Sequence, residues 1–456
     1  MHGFAGNRTL ITLLVYFGSY PLLYAMNVLL SRELGAADYG DFAVTRSVAA
    51  LAATIALVGM DSAALRYLSV YGKQNDEKSA KGFVIVAFLT VLVSGVVISL
   101  LLYGFTAFIR MRFGHDDHPV MIAMIWVVPL SLGIFVTRLL AGHGRMVLSS
   151  FLDRILLPIA TLLLLGVVFF LREDLTDFAA VLLLVASRVF VLFVLIWFMW
   201  MLWRAQYQDK ETHYRAKEWF LSALPFLLSA LVLNAMGESG TLILESSHPS
   251  ENEVGLFAAV HQVAYFPLIA LAAINILAIP DLSVLVKEDR QAELEARLGL
   301  FVRILTAFGI GSLAVFIVWG DPLVRLFGHD FQNGRLPLVV LGIGYLVALV
   351  GGLVVPLFQI LERRRVVLVS MLLLLTVNVG LTYILAPRYG ALGAAAAYTI
   401  SVAIVYTRPD ALAPAHHGHP LPAIDPTLWL QRRVDAPRTL RCRTHAPRLC
   451  VACDGE

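Results

Sequence analysis

The sequence predicts an all-α polytopic membrane protein of about 12 transmembrane helices. Three observations carry that prediction. Twelve apolar stretches fill the chain from Leu10 to Tyr406. The 456 residues are 59% hydrophobic and only 15% charged, with a mean hydropathy of +0.78, whereas a soluble domain is about a quarter charged. The Lys and Arg residues fall on alternate connections between the stretches.

A hydrocarbon core of about 30 Å needs roughly 20 apolar residues per helix. The stretches that meet or approach this are Leu10–Ser31, Phe42–Leu65, Phe83–Ile109, Val120–Leu140, Phe151–Leu171 and Phe178–Trp203 in the first half. The second half has Trp219–Glu245, Leu256–Ile279, Leu300–Trp319, Leu336–Leu361, Val366–Pro387 and Ala391–Tyr406. Runs this long predict helices, because a β-barrel would show short alternating segments. The first stretch is too long for the apolar region of a signal peptide, and no clear small-residue cleavage site follows it, so a retained helix is expected.

With the N-terminus placed in the cytoplasm, the N-terminal segment and the even-numbered connections carry 19 Lys and Arg, against 7 on the opposite side. The positive-inside rule then orients the chain with its N-terminus cytoplasmic. A missed helix would scramble this alternation, so the asymmetry also supports the count of spans. Net charge is only +3 and does not imply a nucleic-acid partner.

A weak internal repeat relates the halves. Tyr39-Gly40-Asp41-Phe42-Ala43 resembles Val254-Gly255-Leu256-Phe257-Ala258 at an offset of 215. Six spans separate the copies, so both halves enter the membrane in the same direction. The expected organisation is a six-helix lobe at 1–208, a cytoplasmic linker at 209–218 and a second six-helix lobe at 219–406 whose last helix is short. Parallel repeats of this kind place a substrate site between the halves.

Residues 407–456 break the pattern. They hold 7 of the 19 prolines, 4 of the 12 histidines and all 3 cysteines, with no lysine. They lack any hydrophobic period and read as disordered. A shifted reading frame from near Tyr406 would give this composition, and so would a genuine Pro/His/Arg-rich tail. Cys442, Cys450 and Cys453 with His445 form one CxxC without a second paired element at finger spacing, so no metal site is expected.

The sequence has no GxxxxGK[ST] motif and no soluble segment large enough to hold a nucleotide or a glycosyltransferase domain. No catalytic triad stands out. Neither an enzyme nor a bound cofactor is expected, and any transport would draw on an ion gradient, the membrane potential or the substrate's own gradient.

The chemistry then lies in the few polar groups inside the spans, each costing at least about 2.5–3.5 kcal/mol at the bilayer centre. Arg46 in the second span and Arg188 in the sixth are the only Lys or Arg outside termini, connections and tail. His261 occupies the position matching Arg46 under the 215-residue offset. Basic groups at matched places would face one central cavity and suit an anionic substrate such as a phosphate or diphosphate. The plainer reading has Arg46 snorkelling to the interface and Arg188 paired structurally.

Asn234 and Glu238 lie four apart on the seventh span, with Glu245 seven beyond, so all three share a helix face. Glu238 is the better candidate for carrying a proton or binding sodium, unless a neighbouring arginine pairs with it. Asp61 is a third ion-coupling candidate. It could instead pair with Arg66 or cap a helix break. Asn275, Gln262, Gln359 and Asn378 are expected to bond between helices. Pro21, Pro129, Pro158, Pro225, Pro267 and Pro356 lie inside spans, where kinks are tolerated.

Four stretches carry a family resemblance: Leu30-Ser31-Arg32-Glu33-Leu34-Gly35-Ala36-Ala37-Asp38-Tyr39-Gly40-Asp41-Phe42, Val58-Gly59-Met60-Asp61-Ser62-Ala63-Ala64-Leu65-Arg66-Tyr67, Gly255-Leu256-Phe257-Ala258-Ala259, and Ala386-Pro387-Arg388-Tyr389-Gly390-Ala391-Leu392-Gly393-Ala394-Ala395. In order and spacing they resemble the polysaccharide (O-antigen) flippases of the MOP (multidrug/oligosaccharidyl-lipid/polysaccharide) exporter superfamily, which also holds the lipid II flippases and the multidrug MATE exporters. The resemblance covers residues 10–405. It implies a MATE-like, two-lobed bundle working by alternating access in the bacterial cytoplasmic (inner) membrane.

The implied cargo is polyprenyl-diphosphate-linked oligosaccharide for surface polysaccharide or lipopolysaccharide synthesis. The implied partners are that lipid, the surrounding membrane lipids, and a polysaccharide polymerase or other envelope-assembly protein. Cavity arginines hold the diphosphate in related flippases, which agrees with Arg46 and Arg188. The chain departs from the family after Tyr406, where span twelve should finish. An ion-coupled drug or small-metabolite exporter of the same architecture is the alternative, favoured by Glu238. A non-transporting scaffold in an envelope-polysaccharide complex is a third reading.

Overall fold

The computed structural model describes residues 2–113, 120–171, 175–208, 210–247, 250–288, 290–353 and 364–407. Pro356, Gln359 and the end of the tenth expected span lie outside these residues. So does the tail from Arg408 onward, with its three cysteines and His445.

Every regular element among the described residues is helical. The order is α1 (His2–Ala56), α2 (Met60–Gln74), α3 (Glu77–Phe113), α4 (Val120–Gly142), α5 (Met146–Phe151), a π-turn (Leu152–Leu156), α6 (Leu157–Leu171) and α7 (Asp177–Tyr207). Then come α8 (Ala216–Ser247), α9 (Glu251–Ala264), α10 (Phe266–Lys287), α11 (Gln291–Arg325), a short 3₁₀ turn (His329–Phe331), α12 (Arg335–Gly351) and α13 (Arg364–Thr407). Eight helices are long and apolar enough to cross a membrane, and the bent pair α9 and α10 makes a ninth.

This count reconciles with twelve expected stretches because two of the long helices each contain two of them. α1 breaks at Gly35 (φ 76°, ψ −179°) and α13 at Gly390 (φ 56°, ψ −136°). These are the turns of the Leu-Gly-Ala-Ala and Tyr-Gly-Ala-Leu motifs, and a side chain other than hydrogen is strained at such φ values. The tenth stretch is represented by the 17 residues of α12. The outward faces carry large apolar side chains, with Phe170 86%, Phe193 68% and Leu163 67% exposed, as lipid contact requires.

The eighth span bends by 42° between Ala264 and Phe266. Pro267 has no N–H to give to the carbonyl four residues earlier, so the helix cannot run through this point unbroken. Val263 is that residue, and its carbonyl loses the N–H donor that an unbroken helix would supply from position 267.

The two copies of the repeat pack on each other. Gly255 brings α9 so close to α1 that a Cβ there would lie 1.9 Å from the Ala36 carbonyl oxygen. Around this contact Tyr39 and Phe42 from α1 meet Phe327 and Phe331, all fully buried. The Tyr39 ring centroid lies 5.8 Å from Phe42 and 6.1 Å from Phe331. Nearby, Glu253 accepts the Ala391 amide at 2.7 Å and so caps the helical segment after the Gly390 break. Three of the four resembling motifs therefore meet at one end of the bundle.

At the opposite end α8 docks on α2. Trp219, fully buried, donates its indole N–H to the Tyr71 hydroxyl at 3.0 Å, and the Tyr67 hydroxyl donates to Ser222 at 2.9 Å. The expected linker is tied to the start of α3 by Lys210–Glu77 at 2.6 Å and Lys78–Glu211 at 2.5 Å. Both pairs are exposed, so they orient the linker more than they stabilise it.

Candidate functional site

The structure brings Arg46, His261 and Glu238 together. Ser47, the residue after Arg46 on α1, donates its hydroxyl to Glu238 Oε2 of α8 at 2.6 Å. His261, in the last turn of α9, lies in the electrostatic field of both Glu238 and Arg46. Its ring is ringed by Phe257, Tyr265 and Tyr345, at centroid distances of 6.0, 6.2 and 6.1 Å. The pairing of Arg46 with His261 follows from the repeat, whose two copies touch at Gly255 just before these positions. Among the described residues no carboxylate lies within 4.0 Å of the Arg46 guanidinium. Among the described residues its N–H donors have no hydrogen-bond acceptor, which leaves them open to an anion.

Arg188 does not join this group. It is 6% exposed, and its Nη1 donates to Asp153 Oδ1 at 2.6 Å. Of its two expected readings, the structure gives the structural pair. Asn234 is exposed and spends its amide on the Ala230 carbonyl at 3.0 Å, one turn back on its own helix. Asp61 sits in the first turn of α2, just after the break at Val58 and Gly59, where the helix dipole favours an acid. No ion pair joins it to Arg66 among the described residues.

Asn378 is an interhelical bonder as expected, accepting from Ser239 at 2.7 Å. A small cavity of about 10 Å³, room for one water, lies between this pair and His261. The interhelical bond expected of Asn275 is not made by its Oδ1, which is buried without a partner among the described residues.

Two features escaped the sequence reading. The first is a tyrosine ladder on α1. Tyr16, Tyr20 and Tyr24 are four residues apart and share a face. Tyr20 donates to Gln262 O at 2.8 Å and Val263 O at 3.2 Å, the carbonyl to which Pro267 gives no N–H. Tyr24 donates to Leu323 O at 2.9 Å. Ser31 and Arg32 donate to Phe327 O at 2.9 Å and Leu326 O at 2.7 Å. Leu323 lies in the last turn of α11, and Leu326 and Phe327 follow directly after it, where helix carbonyls have no intrahelical donor. The first span thus caps the ninth. The four-residue spacing was visible in the sequence, but the acceptors, almost 300 residues away, were not.

Replacing Tyr24 by Phe leaves the Leu323 carbonyl unpaired, which costs about 1–3 kcal/mol when buried. Tyr24→Phe is expected to lower Tm in detergent by several degrees, whereas Tyr383→Phe, 68% exposed to lipid, leaves it unchanged. Equal Tm values for the two variants would remove the capping role.

The second feature is Arg154. It reads as a loop arginine but lies on the π-turn, with its guanidinium carbon 3.7 Å from the centroid of the Tyr16 ring.

Breaks at paired glycines, a proline-bent eighth span and ionisable groups turned toward other helices define an all-helical, polytopic membrane-protein fold. The chain has the fold of a multidrug MATE family transporter of the MOP superfamily in its inward-facing conformation (TM-score 0.67, 14% identity, covering 87% of this chain and 95% of that one). It also has the fold of the lipid II flippase MurJ in an inward closed conformation (TM-score 0.65, 13% identity, 88% and 86% covered).

The chain belongs to the polysaccharide biosynthesis protein family, whose family model matches residues 5–286. It is similar to the capsular polysaccharide biosynthesis protein CapF of Staphylococcus aureus, with 25% identity over 207 residues. That match covers 43% of this chain and spans about half, 51%, of the relative's length.

Proposed function

We propose that the protein is a flippase that moves polyprenyl-diphosphate-linked oligosaccharide across the bacterial cytoplasmic membrane. Two lobes, 1–208 and 219–406, alternate access to a site between them, with the N-terminus in the cytoplasm. The observation that carries the reading is Arg46, an in-span cation with no carboxylate within 4.0 Å among the described residues, in the electrostatic field of His261 and in a polysaccharide-biosynthesis family chain. A guanidinium in that setting binds a diphosphate through paired hydrogen bonds. Glu238 is the coupling group in this reading, because its carboxylate both holds Ser47 across the lobes and faces His261.

The motifs gathered at Gly35, Gly255 and Gly390 close the bundle at one end, and α1 seals that end against α11. With the N-terminus cytoplasmic, this is the outer end, and cargo loads from the cytoplasm.

Deleting the gene should cause polyprenyl-diphosphate oligosaccharide to accumulate on the cytoplasmic leaflet. Wild-type protein should clear it, while Arg46→Gln should slow clearance at least tenfold. Glu238→Gln should slow clearance and abolish its dependence on the ion gradient. No accumulation after deletion, with unchanged surface polysaccharide, would overturn the flippase reading. Cation efflux that needs Glu238 but not Arg46 would install the drug-exporter reading instead.

A further inference from the structure

Arg154 and Asp153 are neighbours in sequence but serve different sides of the fifth span. The π-turn Leu152–Leu156 widens the helix there, a local change that recurs at functional positions. Asp153 points to Arg188 and neutralises it at 2.6 Å. Arg154 has no carboxylate within 4.0 Å and no hydrogen-bond acceptor among the described residues. Among the described residues its close contact is the face of Tyr16, 3.7 Å from guanidinium carbon to ring centroid.

Stacking of this kind fixes the plane of the guanidinium and leaves its N–H edges open. An arginine inside a span with unspent donors is costly unless it meets an anion. Tyr265, at the bend of the eighth span, is 47% exposed and lies in the electrostatic field of both Arg154 and Tyr16. Glu238 also acts on Tyr265, but its carboxylate is held by Ser47.

Depth separates Arg154 from Arg46. Arg154 lies eight residues from the start of α5, roughly 12 Å into the bundle from the end where the N-terminus lies. Arg46 lies eleven residues beyond the Gly35 break, roughly 16 Å in from the opposite end.

We propose that Arg154, stacked on Tyr16, is a second anion seat that takes a phosphoryl oxygen of a prenyl-diphosphate cargo before it reaches Arg46. This rests on the flippase reading. Tyr16 is the one rung of the tyrosine ladder whose hydroxyl is not given to a carbonyl of α9 or α11. The two upper rungs seal the bundle, and the lowest belongs to the cargo.

The test uses purified full-length protein in neutral detergent, with farnesyl diphosphate as probe and farnesol as its uncharged control, read by calorimetry. Arg154→Gln should weaken farnesyl diphosphate binding at least tenfold and leave farnesol binding unchanged. Tyr16→Leu should weaken it several-fold. Arg154→Lys should fall between wild type and Gln, because an ammonium keeps the charge but neither stacks flat nor forks. The folded state of each variant is checked by its Tm, and the Lys and Leu variants keep the test decisive if Gln fails to fold. Inorganic pyrophosphate should compete with the probe, while excess phosphatidylglycerol should not.

Wild-type probe affinity in Arg154→Gln, equal loss of farnesol, or displacement by phosphatidylglycerol would each overturn the seat. Wild-type probe affinity together with export lost in Arg46→Gln would remove the seat and keep the flippase. Lost probe affinity with normal surface polysaccharide in both arginine variants would keep the seat and remove the flippase.

Discussion

Asp153→Ala is expected to destabilise the protein by about 3 kcal/mol or more, the range for stripping one partner from a buried ion pair. Arg188 is 6% exposed and has no other acceptor among the described residues, so its charge would remain in a low-dielectric interior. Asp153 is the wetter partner, with its side chain 30% exposed, which places the effect at the lower end of that range. The expected readout is a fall in Tm of about 3–5 °C in detergent.

The double variant Asp153→Ala/Arg188→Met should recover most of the loss, because a buried pair replaced by apolar groups of similar volume is nearly neutral. A double variant as unstable as the single would show that the aspartate does something other than neutralise Arg188. The same substitution also separates structure from cargo binding. Loss of stability rescued by Arg188→Met, with probe binding at Arg154 retained, would show that the two neighbouring residues of the π-turn do independent jobs.

Gly255→Val carries the second large effect. A Cβ at 255 meets a backbone carbonyl at 1.9 Å and the Gly40 amide nitrogen at 3.2 Å, and neither can rotate away as a side chain would. Relief requires α9 to move off α1, which opens the buried cluster of Tyr39, Phe42, Phe327 and Phe331. Overpacking of a core costs about 1–3 kcal/mol, and more where only backbone can yield. The expected result is poor yield of folded protein and a Tm far below wild type. The control is Gly237→Ala on α8. A Cβ there meets nothing within 4 Å, and losing a helical glycine is favourable by about 0.5–1 kcal/mol. If Gly255→Val melts with Gly237→Ala, the close approach of the repeat copies is not a constraint.

Much of this architecture was legible because bilayer physics is severe. Helices must be long and apolar, and their connections must carry the charge, so spans can be read from composition alone. Gly35, Gly255 and Gly390 were legible as motif residues, though their joint role at one end was not. The 215-residue offset was legible too, and it matches Arg46 with His261, two residues that lie in each other's electrostatic field. Arg188 was ambiguous because nothing in sequence reports that a residue 35 positions away neutralises it.

Arg154 was assigned to a connection because the positive-inside count expects arginines there. Only the packing of α1 against the π-turn shows that it faces Tyr16. The tyrosine ladder was missed because tyrosine in a membrane helix usually marks the interface. Its partners are backbone carbonyls exposed by a proline and a helix end, which no residue type announces.

The capping of α11 by α1 also sets an order of events during synthesis. Tyr24 and its acceptor Leu323 are 299 residues apart. A ribosome adding about 5–20 residues per second delivers the second roughly 15–60 s after the first. For that interval α1 lacks the carbonyl its Tyr24 hydroxyl will finally hold. Its seating is completed only when the ninth span arrives, so a helix made well before α11 is fixed in place after it.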